Sequence, residues 1–162
     1  MSRSLTFRHT DQIAVLQGLL PAYRAAVEKF ENLAKKVSSP GWRDLFVRFW
    51  QDQCQCLIEL EDKIRELGAD PEAVTPTDEF EVSLHQWTNI LSRDKEMLLQ
   101  SLNHQTHLVH LYTQLRLSPL SYDVRTLLQR HHLHARQTLE RLTSIYLIYP
   151  PRAKIPVPQM TI

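Results

Sequence analysis

The chain has 162 residues, a formal net charge of +1 and only three glycines. This length favours one domain with one sizeable core, and the scarcity of glycine and of β-branched runs argues against a sheet protein. A charge so close to zero gives no reason to expect a nucleic-acid partner or attraction to anionic membranes. The sequence also lacks an apolar run of the roughly 18 residues that a membrane-spanning helix requires.

The N-terminus and the cysteines indicate the compartment. Residues 1–9 lack the apolar core of a signal peptide. Cys54 and Cys56 are two residues apart in a predicted helix, so they point to different faces and do not readily form a disulfide with each other. We therefore expect a reduced, cytoplasmic protein.

The first predicted helix carries the clearest pattern in the chain, an apolar stripe whose spacing alternates between three and four residues. Its members are Ile13, Leu16, Leu20, Tyr23, Val27, Phe30, Ala34 and Val37. A helix of this length is roughly 38 Å long, and it requires other long helices to cover its stripe. We predict that it runs from Thr10, as N-cap, to about Val37, with Pro21 removing one backbone hydrogen bond.

A second helix is predicted from Pro40 to Leu67. Ser39 is its expected N-cap, Pro40 its first helical residue and Gly68 the left-handed residue that ends it. Its stripe consists of Phe46, Trp50, Gln53, Leu57, Leu60, Ile64 and Leu67. In the connection that follows, the sequence Thr75-Pro-Thr-Asp78 is a capping box, which predicts a short extra helix before the third long one.

Two further stripes complete the pattern. The third helix carries Leu91, Lys95, Leu98, Leu102, Gln105, Val109 and Tyr112, and the fourth carries Val124, Leu128, His131, Ala135, Leu139, Leu142 and Ile145. Four long amphipathic helices joined by turns predict an all-α, antiparallel four-helix bundle. We expect a flexible N-terminal arm over residues 1–10, the bundle domain over 11–148 and an extended Pro-rich tail over 149–162.

Five separated stretches also carry a resemblance to a known family. They are Ile13–Leu20 with Arg24 and Phe30; Val37, Pro40 and Leu45-Phe46; Arg65–Pro71; Leu84-His85 with Trp87; and Pro119–Leu128. In this order and spacing they resemble a bacterial ferritin-like four-helix-bundle family of unknown function, over most of residues 11–147. The resemblance implies a ferritin-like fold in which acids and a histidine project into the core.

The chain departs from the family at the positions where that resemblance implies metal ligands. Val27 and Gln105 stand where the family has acids, and Leu139 stands where it has a histidine, whereas Glu59 matches an acid of the pattern. Independently, a di-iron centre needs Glu-x-x-His on two helices, and the sequence contains no Glu-x-x-His. We therefore expect no di-iron centre. A haem site is equally unfavoured, because only His131 stands at an axial position in the expected core.

Histidines on the third and fourth helices are the remaining candidate ligands. His-x-x-His on one helix face can chelate zinc or copper, but His107 and His110 fall on the polar side of their helix, which favours a solvated face. His131 and Gln105 lie on apolar stripes, so each is a buried polar core candidate that needs a hydrogen-bond partner. Either they bond each other or a buried water, or His131 joins His104 and Glu59 in a mononuclear metal site.

These observations lead to two functional expectations. The first is a non-catalytic bundle with no catalytic residue and no cofactor, acting through association as a homo-oligomer or with an unknown protein partner. The alternative is a metal-binding or redox bundle in which Glu59, His104 and His131 hold a single transition-metal ion. Neither involves nucleic acid or a membrane.

Overall fold

The computed structural model describes residues 9–37, 39–73 and 93–148. Its elements are α1 (His9–Lys36), α2 (Pro40–Glu66), a 3-10 turn (Pro71–Ala73), α3 (Arg93–Leu115) and α4 (Tyr122–Ile148). No strand occurs in these ranges, and the prediction of an all-α four-helix bundle is confirmed. The predicted short helix after Thr75 and the Pro-rich tail lie outside the described residues. Over the same ranges, no helix combines the length and the apolar character needed to cross a bilayer.

The helices pack as two hairpins. α1 lies along α2, α3 lies along α4, and the hairpins are joined chiefly through α1 and α3. Of the four neighbouring pairs of helices, α2 and α4 make the fewest contacts, so they border the most open side of the bundle. Because α1 is covered by two neighbours, its buried face is wider than the predicted stripe. It also includes Leu19, Ala22, Ala26 and Leu33, whereas Ile13 and Val27 are half-buried.

The core consists of two apolar clusters. Tyr23 and Leu60 belong to the first, which lies toward the turn that joins α3 to α4, and Phe30 and Phe49 belong to the second. The first continues through Leu16, Leu20, Ile64, Leu108 and Leu128, and the second through Leu33, Phe46, Leu98 and Leu142. Burial of these side chains supplies most of the stabilisation, at roughly 25 cal/mol for each Å² of apolar surface.

Buried polar side chains occupy the level between the two clusters. Gln53 follows Phe49 by one turn on α2, Ser101 and Gln105 lie between Leu98 and Leu108 on α3, and Thr138 precedes Leu142 on α4. All four are at most 2% exposed. The sequence placed Gln53 and Gln105 on apolar stripes, and the structure buries both at this level of the bundle.

The ends of α2 follow the predicted capping pattern. Pro40 is its first residue and Ser39 its N-cap, although the Ser39 side chain makes no capping hydrogen bond. At the other end Gly68 has φ 90°. The amides of Gly68 and Ala69 donate to the carbonyls of Arg65 and Ile64, both at 3.0 Å, which is a Schellman motif.

The predicted start of α1 is wrong. Thr10 lies inside the helix, which already includes His9, so Thr10 is not its N-cap. An amphipathic stripe identifies the buried face of a helix, but it does not fix the residue at which the helix begins.

Gly68 provides a direct test of the end of α2. Replacing it with alanine should lower the free energy of unfolding by about 1 kcal/mol, because a Cβ is unfavourable at positive φ. An added Cβ would meet no heavy atom within 4 Å, so the cost is conformational and not steric. Urea unfolding measures the effect. Gly41→Ala is the control, since Gly41 has similar open space without a positive φ and should not show this loss.

Candidate functional site

Side chains from all four helices meet around Glu59. α1 contributes Tyr23, α2 contributes Cys56 and Glu59, α3 contributes Tyr112 and α4 contributes His131. We call this group the four-helix junction. All but Glu59 are at most 6% exposed, and the Glu59 side chain keeps 22% of its surface in solvent. The junction therefore reaches the surface at the open side of the bundle, between α2 and α4.

The Glu59 carboxylate holds the junction together across that side. Its Oε2 accepts a hydrogen bond from Nε2 of His131 at 2.7 Å and another from Nη2 of Arg130 at 2.8 Å. Its Oε1 accepts from Nη1 of Arg130 at 3.3 Å and from Nε2 of Gln55 at 3.2 Å. Both carboxylate oxygens are thus engaged. A second polar contact, 3.4 Å between His134 and Asp52, follows along the same side.

Burial and hydrogen bonding set the charges of this pair. Burial lowers the pKa of His131, against the raising effect of Glu59, so the imidazole is neutral at pH 7. Partial burial by itself would raise the pKa of Glu59, but hydrogen bonds from His131 and Gln55 bring the net pKa below its ordinary value. The ionised carboxylate fixes the imidazole proton on Nε2. Nδ1 of His131 is buried and has no hydrogen-bond partner among the described residues.

The other members of the junction form a neutral inner layer. The hydroxyls of Tyr23 and Tyr112 are 2.6 Å apart, and the Tyr23 ring meets the His131 ring edge-on, with centroids separated by 5.9 Å. Burial raises the pKa of both tyrosines well above the ordinary value. Burial and the nearby Glu59 also raise the pKa of the Cys56 thiol, to about 12. A thiol in this state is not a nucleophile at neutral pH.

The four-helix junction contains no activated nucleophile. The only ionised group of the junction is Glu59, and Arg130 neutralises it. The only basic lone pair is Nδ1 of His131, which lies within the core. Nucleophilic catalysis requires an activated nucleophile beside a base, and neither the phenols nor the thiol of this junction is activated.

The structure brings together two of the three residues considered for a mononuclear metal site. Glu59 and His131 are in contact, whereas Nε2 of His104 lies 2.7 Å from the carbonyl oxygen of Ala22 on α1. Within residues 9–37, 39–73 and 93–148, no group of three or more His, Cys, Asp and Glu side chains is placed to hold a metal ion.

Gln105 and His131 find separate partners. Gln105 is fully buried, and its Nε2 donates to the carbonyl of Ala135 at 3.1 Å, one turn along α4 from His131. Val27 and Leu139 are half-buried. The resemblance implied that Val27, Gln105 and Leu139 would face Glu59 in the core. In the structure, the side chains that meet around Glu59 from the other three helices are those of Tyr23, Tyr112 and His131.

Sequence reasoning missed two contacts of the junction. A spacing of four residues on one helix favours a pair between Glu59 and Lys63, but Glu59 binds Arg130 and His131, and Lys63 pairs with Glu66 at 2.8 Å. The bond between Tyr23 and Tyr112 was not anticipated either. A signal for it existed, since both tyrosines lie on apolar stripes and a buried phenol needs a partner.

Comparison with solved structures shows what this fold is similar to. A two-domain protein from Anabaena variabilis, which contains a DJ-1/ThiJ/PfpI-like domain and a ferritin-like domain, superimposes with a TM-score of 0.69 and 16% sequence identity. The match covers 90% of this chain and 40% of that one, so the present chain spans less than half the length of the Anabaena protein. No family model matches the sequence, and the search of curated proteins finds no significant match. The likeness supports a ferritin-like helical fold.

Proposed function

We propose that this chain is a non-catalytic ferritin-like bundle without a di-iron centre, and that it acts by associating with other protein chains. The observation that carries the proposal is the composition of the four-helix junction. Its only carboxylate is Glu59, which Arg130 engages through two hydrogen bonds at 2.8 and 3.3 Å. Two iron ions carry about four positive charges and require several inward-facing carboxylates and imidazoles, so this donor set does not fit a di-iron centre.

Exposed apolar side chains at one end of the bundle support the association. Leu117 is 95% exposed and Tyr122 is 83% exposed, and both flank the turn between α3 and α4. Single exposed apolar residues are ordinary, but two large ones at a single turn offer a contact for a second chain. A homo-oligomer is the simplest such assembly, and an unidentified protein partner is the other.

Two measurements on one preparation test the proposal. We expect protein purified from cells to contain less than stoichiometric iron, zinc and copper by elemental analysis. We also expect light scattering to give a mass above that of one chain, and Leu117→Ser with Tyr122→Ser to return it to one chain. Ile58→Ser is the control, because Ile58 is 50% exposed on α2 and away from this turn. Stoichiometric iron would contradict the first part, and a single-chain mass at every concentration would contradict self-association.

One observation favours an alternative, a bundle that binds a single transition-metal ion for a redox or storage role. His131 donates from Nε2 to the Glu59 carboxylate and leaves Nδ1 without a partner among the described residues. A histidine that binds a metal through one nitrogen commonly donates its other N–H to a carboxylate in this way. In this version His131 would be a ligand and Glu59 would orient it.

The alternative is distinguished by what His131→Leu does. If His131 binds a metal, zinc or iron present in the wild type should be lost from this variant and retained in His134→Leu. If the histidine is only structural, both variants should have the same metal content as the wild type, and His131→Leu should differ in stability alone.

A further inference from the structure

A partly open pocket of about 360 Å³ lies between α3 and α4, next to the turn that joins them. Its size is at the lower end of the range of about 300–1,000 Å³ that is usual for small-molecule sites. Leu120 and Leu128 form a buried apolar floor, and both are 5% exposed. The pocket shares Tyr112 with the four-helix junction, but the other four members of the junction do not line it.

The walls of the pocket are basic. Arg116, Arg125 and Arg136 line it together with His132, and no aspartate or glutamate is among its lining residues in the part of the chain that is described. None of the three guanidinium groups has an ion pair or hydrogen bond with a described residue, in contrast to Arg24, Arg65 and Arg130. Three unneutralised arginines around one concave surface create a positive potential that favours an anion.

The charges of Arg116 and Arg136 both act on the His132 imidazole in the pocket. Burial lowers the pKa of His132, and the charges of Arg136 and Arg116, which line the same pocket, lower it further. The ring is held by Tyr112, on which it stacks at 5.6 Å with an interplanar angle of 14°. Its Nε2 is buried and unpartnered among the described residues. Arg125 precedes His132 by seven residues, or about 10 Å along α4, so it lies toward the other end of the pocket.

We propose that this pocket binds an organic anion with an aliphatic part: its carboxylate or phosphate is held by Arg116 and Arg136 beside His132, and its hydrocarbon chain lies on Leu120 and Leu128. Arginine suits this role because its planar fork binds carboxylate and phosphate through two parallel hydrogen bonds. The apolar floor adds affinity for a hydrocarbon tail that a bare inorganic anion cannot use. The proposal does not depend on the association proposed above.

Calorimetric titration with four probes tests the proposal and separates the two headgroups. Octanoate and octyl phosphate carry both features, octanol lacks the charge and inorganic phosphate lacks the tail. We expect octanoate, octyl phosphate or both to bind, with octanol and inorganic phosphate weaker by about tenfold or more. Equal binding of inorganic phosphate would contradict the apolar half of the proposal, equal binding of octanol would contradict the ionic half, and no binding of any probe would overturn it.

Charge-matched variants test the residues. The double variant with Arg116→Gln and Arg136→Gln should bind the tighter of octanoate and octyl phosphate about tenfold or more weakly than the wild type, because each substitution removes a charge-assisted hydrogen bond. Arg48→Gln with Arg141→Gln is the control, since it removes the same charge from exposed positions outside the lining and should change affinity less than about twofold. In the wild type, bound anion should also raise the pKa of His132, measured by NMR titration of its ring. Equal loss of affinity in the two double variants, or an unchanged pKa of His132 when the anion binds, would overturn the assignment.

Discussion

Acidification from pH 6.5 toward pH 4 is expected to remove about 3 kcal/mol of folding free energy through His104 alone. His104 is 7% exposed, and its Nε2 lies 2.7 Å from the Ala22 carbonyl. Burial lowers its pKa to about 4, with smaller contributions from Lys29 and His107. The unfolded chain, with an ordinary histidine pKa of about 6.5, binds the proton first. Stabilisation is therefore complete above pH 6.5 and is lost as the pH falls toward 4.

His104→Gln isolates this contribution. Glutamine keeps a side-chain N–H that can donate to Ala22 and removes the titration, so the variant should lose about 3 kcal/mol less than the wild type between pH 6.5 and pH 4 in urea unfolding. His131 and His132 also have lowered pKa values and titrate in both proteins, so the difference between the two slopes reports on His104. His110→Gln is the control, because His110 is exposed on the same helix. Parallel slopes for wild type and His104→Gln would contradict the prediction.

Glu59→Leu is expected to lower the free energy of unfolding at pH 7 by about 2 kcal/mol. The cost comes mainly from His131, which is 2% exposed and would lose the acceptor of its Nε2–H. The Arg130 side chain is 62% exposed and can hydrogen-bond to water once the carboxylate is removed, so loss of this ion pair adds little to the destabilisation. Urea unfolding measures the change.

Two companion variants separate the buried contact from the surface contact. Glu59→Gln keeps an oxygen that can accept from His131 and should cost about 1 kcal/mol. Arg130→Gln removes only the exposed partner and should cost about 0.5 kcal/mol or less. If Arg130→Gln proved as costly as Glu59→Leu, the stabilisation would come from the ion pair and not from the buried imidazole.

The helices of this bundle could be read from spacing alone, because an apolar residue every three or four positions depends only on the geometry of one helix. The same holds for Ser39, Pro40 and Gly68, whose roles are decided by the backbone next to them. The ferritin-like arrangement of the helices required the additional resemblance over Ile13–Leu20 and Pro119–Leu128. The starting point of α1 could not be read, since the apolar stripe begins only at Ile13, four residues after the helix starts.

The partners in the four-helix junction depend on how the helices are rotated and offset against each other. The spacing along α2 favours a pair between Glu59 and Lys63. The contacts of Glu59 with Arg130 and His131 form only because α2 and α4 lie side by side there. His131 and Gln105 were found as buried polar residues because stripe membership is a local property. They do not bond each other, because Gln105 lies at the level of Ala135, one turn along α4 from His131. The apolar pattern of a single helix does not show such an offset between two helices.

The basic pocket left a partial signal in the sequence. Arg125, Gln129, His132 and Arg136 are spaced by four, three and four residues, which places them on one face of α4. A face carrying three basic side chains and no acid would have singled out this helix. Arg116 completes the pocket from the turn that follows α3, so its position relative to His132 depends on that turn.

The uneven packing of the four helices determines how solvent reaches the interior. Hydrocarbon joins α1 to α2, α1 to α3 and α3 to α4, and added salt does little to weaken such contacts. Along the edge shared by α2 and α4, carboxylates face basic groups, at Glu59 with Arg130 and at Asp52 with His134. Ions screen the pair between Glu59 and Arg130, so we expect local opening of the bundle to begin at this edge and to become more frequent as ionic strength rises. Water and small solutes that enter at this edge would first meet the Glu59 carboxylate and the His131 ring.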